Sequence, residues 1–119
     1  MIDELLQAKT LKCYDIDKRT DELIEQGFSY NDKLFNCRPS DIQNYTGLYV
    51  MRNKITFPFT IKTKTDVEYY TFQELGDLEN FAESVFIHVQ SLHGSGWTLK
   101  EQVHAKTEIS EVWGVIDNR

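Results

Sequence analysis

Thr71-Phe-Gln-Glu-Leu-Gly-Asp-Leu-Glu-Asn-Phe-Ala-Glu-Ser-Val-Phe-Ile-His-Val-Gln-Ser-Leu-His93 is the stretch from which the rest of the chain can be read. Thr71 and Glu74 have the spacing of a capping box, in which a hydroxyl and a carboxylate satisfy the first free amides of a helix. Tyr70 and Leu75 stand where a hydrophobic staple would close over that box. Beyond it Leu75, Leu78, Phe81, Ala82, Val85, Phe86, Val89 and Leu92 fall within an arc of roughly 140° on a helical wheel. Glu79, Asn80, Glu83, Ser84 and Ser91 lie opposite. Such a helix needs a surface to cover, and the segments before it supply one.

Two hairpins precede it. Phe57-Pro-Phe-Thr-Ile-Lys-Thr-Lys-Thr65 alternates Phe57, Phe59, Ile61 and Thr63 against polar neighbours, and Val67–Phe72 pairs with it through a turn around 64–66. Phe28-Ser-Tyr-Asn-Asp-Lys-Leu-Phe35 turns at Asn31-Asp32, with Phe28 and Tyr30 on one side and Leu34 on the other. Between the hairpins, Ser40 and Gln43 have capping-box spacing before a helix over about 41–53 carrying Ile42, Tyr45, Leu48 and Tyr49. Isolated hairpins are unstable in water, so a small antiparallel sheet with the 73–93 helix across it is expected. The fold class is α+β.

Helices flank this centre. Ile2, Leu5, Leu6, Cys13, Ile16, Leu23 and Ile24 share a stripe over 2–26, interrupted by Lys9 and Thr20, and Gly27 stands at the C-cap position. Unbroken, those residues would form a rod of roughly 38 Å, as long as a domain of this size is wide. The rod therefore kinks near 10–15 or its first turns project, and residues 1–13 are read as an arm that docks on a neighbouring subunit or a different structural protein. Gly94-Ser-Gly96 reads as a break between helices. Thr98 and Glu101 form a third capping box, opening a last helix with Leu99, Val103, Ile109 and Trp113 on one side.

The chain of 119 residues fits one domain, 1–119, with 40% hydrophobic and 27% charged residues as in ordinary globular proteins. A net charge of −6 with scattered Lys and Arg argues against a nucleic-acid surface. No apolar run reaches the ~20 residues that span a bilayer, and the first residues lack signal-peptide character. Cys13 and Cys37 have no metal-type spacing and read as free packing residues of a protein made in a cytoplasm.

No catalytic, cofactor or metal set emerges. His88 and His93 are on different helix faces, and no Cys or carboxylate completes a motif with His104. Glu79 and Glu83 share a face with Asn80, Gln90 and Ser91, which is the wet side. Asn44-Tyr-Thr46 matches a glycosylation sequon, which matters only after export. Aromatic residues are abundant, and Tyr45, Tyr49, Trp97 and Trp113 join Ile2, Leu5 and Leu6 as candidate partner-binding residues.

The ordered pattern resembles a known group. A helix with Lys18-Arg19 runs into Gly27-Phe28-Ser-Tyr30 and Leu34-Phe35, then a polar Asp41-Ile-Gln-Asn44 helix. A Thr-rich strand pair follows, ending in Tyr69-Tyr70-Thr71-Phe72, and then the long helix to His88-Val89. Over residues 16–110 this is similar to a family of short domains of unknown function from bacteriophage tail and tail-fibre regions. In the second hairpin Ile61-Lys-Thr-Lys-Thr-Asp66 stands where that family has a tryptophan and an Asp-Asn turn. The resemblance implies a non-enzymatic virion protein, a tail, baseplate or fibre-attachment subunit made in the host cytoplasm. A cytoplasmic tail or fibre assembly chaperone is the alternative. The implied partners are other phage structural proteins or further copies of the chain, with no nucleic acid, membrane or cofactor.

Overall fold

The structure, a computed structural model, describes residues 3–65 and 67–119. It is an α+β fold. Helix α1 (Glu4–Glu25) leads to strands β1 (Phe28–Tyr30) and β2 (Lys33–Phe35), then helix α2 (Pro39–Val50) and a 3-10 turn at Arg52–Lys54. Strands β3 (Phe59–Lys62) and β4 (Tyr69–Phe72) precede the long helix α3 (Leu75–Ala105) and the short α4 (Ile109–Trp113). The chain forms two compact units, one of residues 24–90 and one of residues 1–23 with 91–119.

The 24–90 unit is built around an aromatic hub. Phe81 is fully buried, and its ring lies 4.8 Å from Phe35, 5.0 Å from Tyr45, 5.3 Å from Tyr30, 5.4 Å from Phe72 and 6.3 Å from Phe28. Leu78, Ala82 and Val85 are buried beside it, as the wheel of α3 requires. Both hairpins form as expected. Phe28 pairs with Phe35 and Tyr30 with Lys33, and Asn31 (φ 47°) and Asp32 (φ 64°) take the left-handed conformations that a two-residue hairpin turn demands. In the second hairpin Phe59 pairs with Phe72 and Lys62 with Tyr69. The expected turn falls partly on Asp66, outside the described residues. The strands do not merge into one sheet but stay as two antiparallel pairs. Lys64 links them: its amide donates to Leu34 O (2.8 Å), and its ammonium donates to Glu25 O (3.0 Å) and Asn36 Oδ1 (3.1 Å).

Gly27 ends α1 at φ +90°, where a Cβ would sit 2.7 Å from Phe35 O, so glycine is required by both conformation and space. Helix α2 begins at Pro39 and is capped differently from the Ser40–Gln43 expectation. The Asp41 carboxylate accepts from the Arg38 amide (3.2 Å) and from Arg38 Nε (2.9 Å). Pro39 pre-sets the first turn, which places the cap at Arg38, two residues earlier than Ser40.

The other unit has an aliphatic core of Ala8, Ile16, Val103, Val112 and Val115, with Leu5, Cys13 and Leu99 packed against them. Three expectations are corrected here. Residues 5–13 are not a free arm, because Ala8 is buried and Leu5 and Cys13 lie against this core. Gly94-Ser-Gly96 is no break, since α3 runs through it for 31 residues. The last helix does not present Ile109 and Trp113 inward with Leu99 and Val103. The chain leaves α3 after Ala105 and restarts as α4, which turns Val112 inward and leaves Ile109 and Trp113 exposed.

Gly96 is buried because helix α1 passes close to it. A Cβ there would meet Thr20 Oγ1 at 2.8 Å and Arg119 Nη1 at 3.3 Å. Thr20, polar on an apolar stripe, donates its hydroxyl hydrogen to Ile16 O (3.1 Å) and accepts from Arg119 Nη1 (2.8 Å). The same guanidinium reaches Ser95 Oγ (3.0 Å), Ile16 O (3.0 Å) and both Asp117 carboxylate oxygens (2.7 and 2.8 Å). Arg19 in turn donates to Arg119 O (2.7 and 3.1 Å). A side chain that brings five N–H groups finds acceptors for all of them.

Candidate partner-binding surface

The residues singled out from sequence separate into buried and exposed sets. Tyr45 is in the core of the 24–90 unit, its hydroxyl donating to Asn36 O (2.7 Å), and burial pushes its pKa up to about 12. Tyr49 lies under the Arg52 guanidinium, 4.2 Å from ring centre to Cζ, while Arg52 also pairs with Glu79 at 3.2 Å. Glu79 is thus half of an ion pair on the face expected to be wet. Leu5 packs inward, and Ile2 lies outside the described residues.

Leu6, Trp97 and Trp113 are the exposed members, at 61%, 52% and 46%. Trp97 stacks on His93 one turn earlier (centroids 6.2 Å, interplanar angle 23°), and Lys12 Nζ sits 5.9 Å from the Trp113 ring centre. Each indole is therefore braced against a neighbour while keeping much of its surface in water. Leu11, Tyr14 and Ile116 of the same unit are also exposed. Several of its large apolar side chains thus stay outside a core that holds Ile16, with Leu5 and Leu99 against it.

A groove of about 430 Å³ runs along this unit, lined by Leu6, Lys9, Cys13, Tyr14 and Asp17 of α1 and by Lys100 and His104 of α3. Lys9 Nζ donates to His104 O (2.8 Å), and Lys100 pairs with Asp17 (2.8 Å). Cys13 Sγ faces His104 Nε2 at 4.0 Å. Burial raises the Cys13 thiol pKa, with the Lys100 charge opposing, so the sulfur is protonated at neutral pH and is not an activated nucleophile. No sequence signal marked this pair, because its members are 91 positions apart.

The other polar clusters are structural in form. Tyr30 and Tyr70 each donate to the Asp77 carboxylate at 2.7 Å, one to each oxygen. Burial, and then donation to that carboxylate, raise both phenol pKa values. Cys37 is buried, and its thiol donates to Ile24 O (3.3 Å). The three histidines are dispersed: His88 lies against Phe28 at 5.1 Å, His93 on Trp97 and His104 by Cys13. Among the described residues no three His, Cys, Asp or Glu side chains converge as a metal cage, and no helix is long and apolar enough to cross a membrane.

These features define an α+β domain whose most distinctive surface is apolar and aromatic. A family model described as a domain of unknown function (DUF4376) matches residues 7–117, and the chain belongs to that family. Neither the curated proteins nor the solved structures give a match.

Proposed function

We propose that the chain is a non-enzymatic structural component of a bacteriophage particle, a tail, baseplate or fibre-attachment subunit working through protein–protein contacts. The observation that carries this reading is the set of exposed aromatic and aliphatic side chains on the 1–23 and 91–119 unit. Trp97, Trp113, Leu6 and Tyr14 stand in water around a core of alanine, isoleucine and valines. Exposed aromatic and aliphatic groups of this size are characteristic of interface centres. The likeness of residues 16–110 to phage tail-region domains supplies the setting. The partners are other structural proteins of the particle or further copies of the chain.

Mass spectrometry of gradient-purified particles tests it. The chain should be present at a fixed ratio to the other tail proteins. Abundance in infected cells with absence from finished particles would replace this reading with that of an assembly chaperone.

A further inference from the structure

We propose that Cys13 and His104 form a two-ligand site for a soft monovalent cation, copper(I) being the class of ion it suits. The pair lines the open groove between α1 and α3, with Sγ and Nε2 4.0 Å apart. That separation is at the outer edge of a sulfur hydrogen bond, so little is lost when an ion displaces it. Zinc-sized ions bind sulfur at about 2.3 Å and imidazole nitrogen at about 2.0–2.1 Å, so a 4.0 Å span corresponds to an angle of about 135° at the metal, well open of tetrahedral. Bonds shorter than zinc's would open the angle further towards the linear arrangement of a two-coordinate soft ion, and copper(I) accepts both donors, thiolate and imidazole.

Charge points the same way. Lys9 and Lys100 flank the groove and disfavour a divalent cation, although both are engaged, one with His104 O and the other with Asp17. A monovalent ion bound to a thiolate leaves no added charge. The step is balanced: the Cys13 S–H bond breaks, one proton goes to solvent, the sulfur lone pair binds the cation, and neutral His104 gives its Nε2 lone pair. The metal takes over the role that burial denies the bare thiol, holding the sulfur deprotonated. Cys37 offers no rival site, since it is buried and already donates to Ile24 O.

The test uses the full chain, reduced and under anaerobic conditions, titrated with copper(I) against a colorimetric copper(I) chelator, and with silver(I) as a redox-inert probe. One equivalent should bind with release of one proton and appearance of a thiolate-to-metal absorption band. Binding should be lost in Cys13→Ser and in His104→Gln and retained in Cys37→Ser. His104 is exposed, so His104→Gln separates lost ligation from lost folding. Absence of binding to the unaltered chain overturns the proposal, as does undiminished binding by His104→Gln, which would reduce the site to a thiol alone.

Discussion

Gly94 and Gly96 are two residues apart in one helix and are there for different reasons. Around Gly94 an added methyl meets nothing within 4 Å, whereas at Gly96 it meets Thr20 Oγ1 at 2.8 Å. Gly94→Ala should therefore stabilise the protein by about 0.5–1 kcal/mol, the ordinary helix gain. Gly96→Ala should destabilise it by about 1–3 kcal/mol through overpacking against the Thr20 and Arg119 cluster. Urea denaturation of the two variants checks both signs, and equal responses would contradict the close approach of Thr20 and Arg119 to Gly96. At the same cluster Arg119 hydrogen bonds hold the Asp117 pKa below its ordinary value. A depressed carboxylate contributes stability that is complete above its unfolded pKa of about 3.9 and is lost as pH falls through the lower folded pKa. Melting temperatures of the parent and Asp117→Asn should differ at pH 6 and converge towards pH 2. A gap that stays constant would assign the contribution to packing instead of charge.

Among the elements, the α3 wheel was readable because burial repeats at 3.6 residues and nothing along Leu75–Val89 opposes it. Phe81 and Val85, placed by that wheel, are both fully buried. Val85→Asp should unfold the 24–90 unit, because an unpaired carboxylate there has no partner and no water. Phe81→Ala should cost about 3–5 kcal/mol, having removed the ring that five others contact. Circular dichroism melts give the comparison, and a soluble Val85→Asp protein with an unchanged midpoint would refute the placement of α3. The first hairpin was equally legible from Asn31-Asp32. The continuation of α3 was not, because Gly-Ser-Gly followed by a Thr-x-x-Glu box locally spells a break and a new start. The local preference loses to packing: Gly96 admits Thr20 and Arg119, and Thr98 donates to Gly94 O as an interior threonine does. Likewise Thr20 looked like a flaw in the α1 stripe only because its partner, Arg119, lies 99 positions away.

For the whole molecule, long-range pairings were the part sequence could not show. Cys13 with His104 and the hydrogen-bonded socket of the Arg119 guanidinium join positions that no periodicity relates. Trp97 and Trp113 are legible as candidates by residue type, whereas only the fold separates Tyr45 from them, by packing its ring on Phe81. Deleting residues 2–12 should lower the melting temperature, since Leu5 and Ala8 leave the core that contains Val103 and Val112. An unchanged melting temperature with loss of a partner would instead restore the arm expected from the sequence. On the proposed function, the exposed indoles seat the chain permanently in a phage particle. The most direct measurement is the copy number of the chain in purified particles, by quantitative mass spectrometry, for phage carrying the parent gene or Trp97→Ala with Trp113→Ala. Both side chains are largely in water, so the variant should fold and accumulate in cells at the parent level. The prediction is a fixed copy number for the parent and depletion of the variant from particles. Particles that lack the parent chain, or that incorporate the double variant at the parent's copy number, would contradict it.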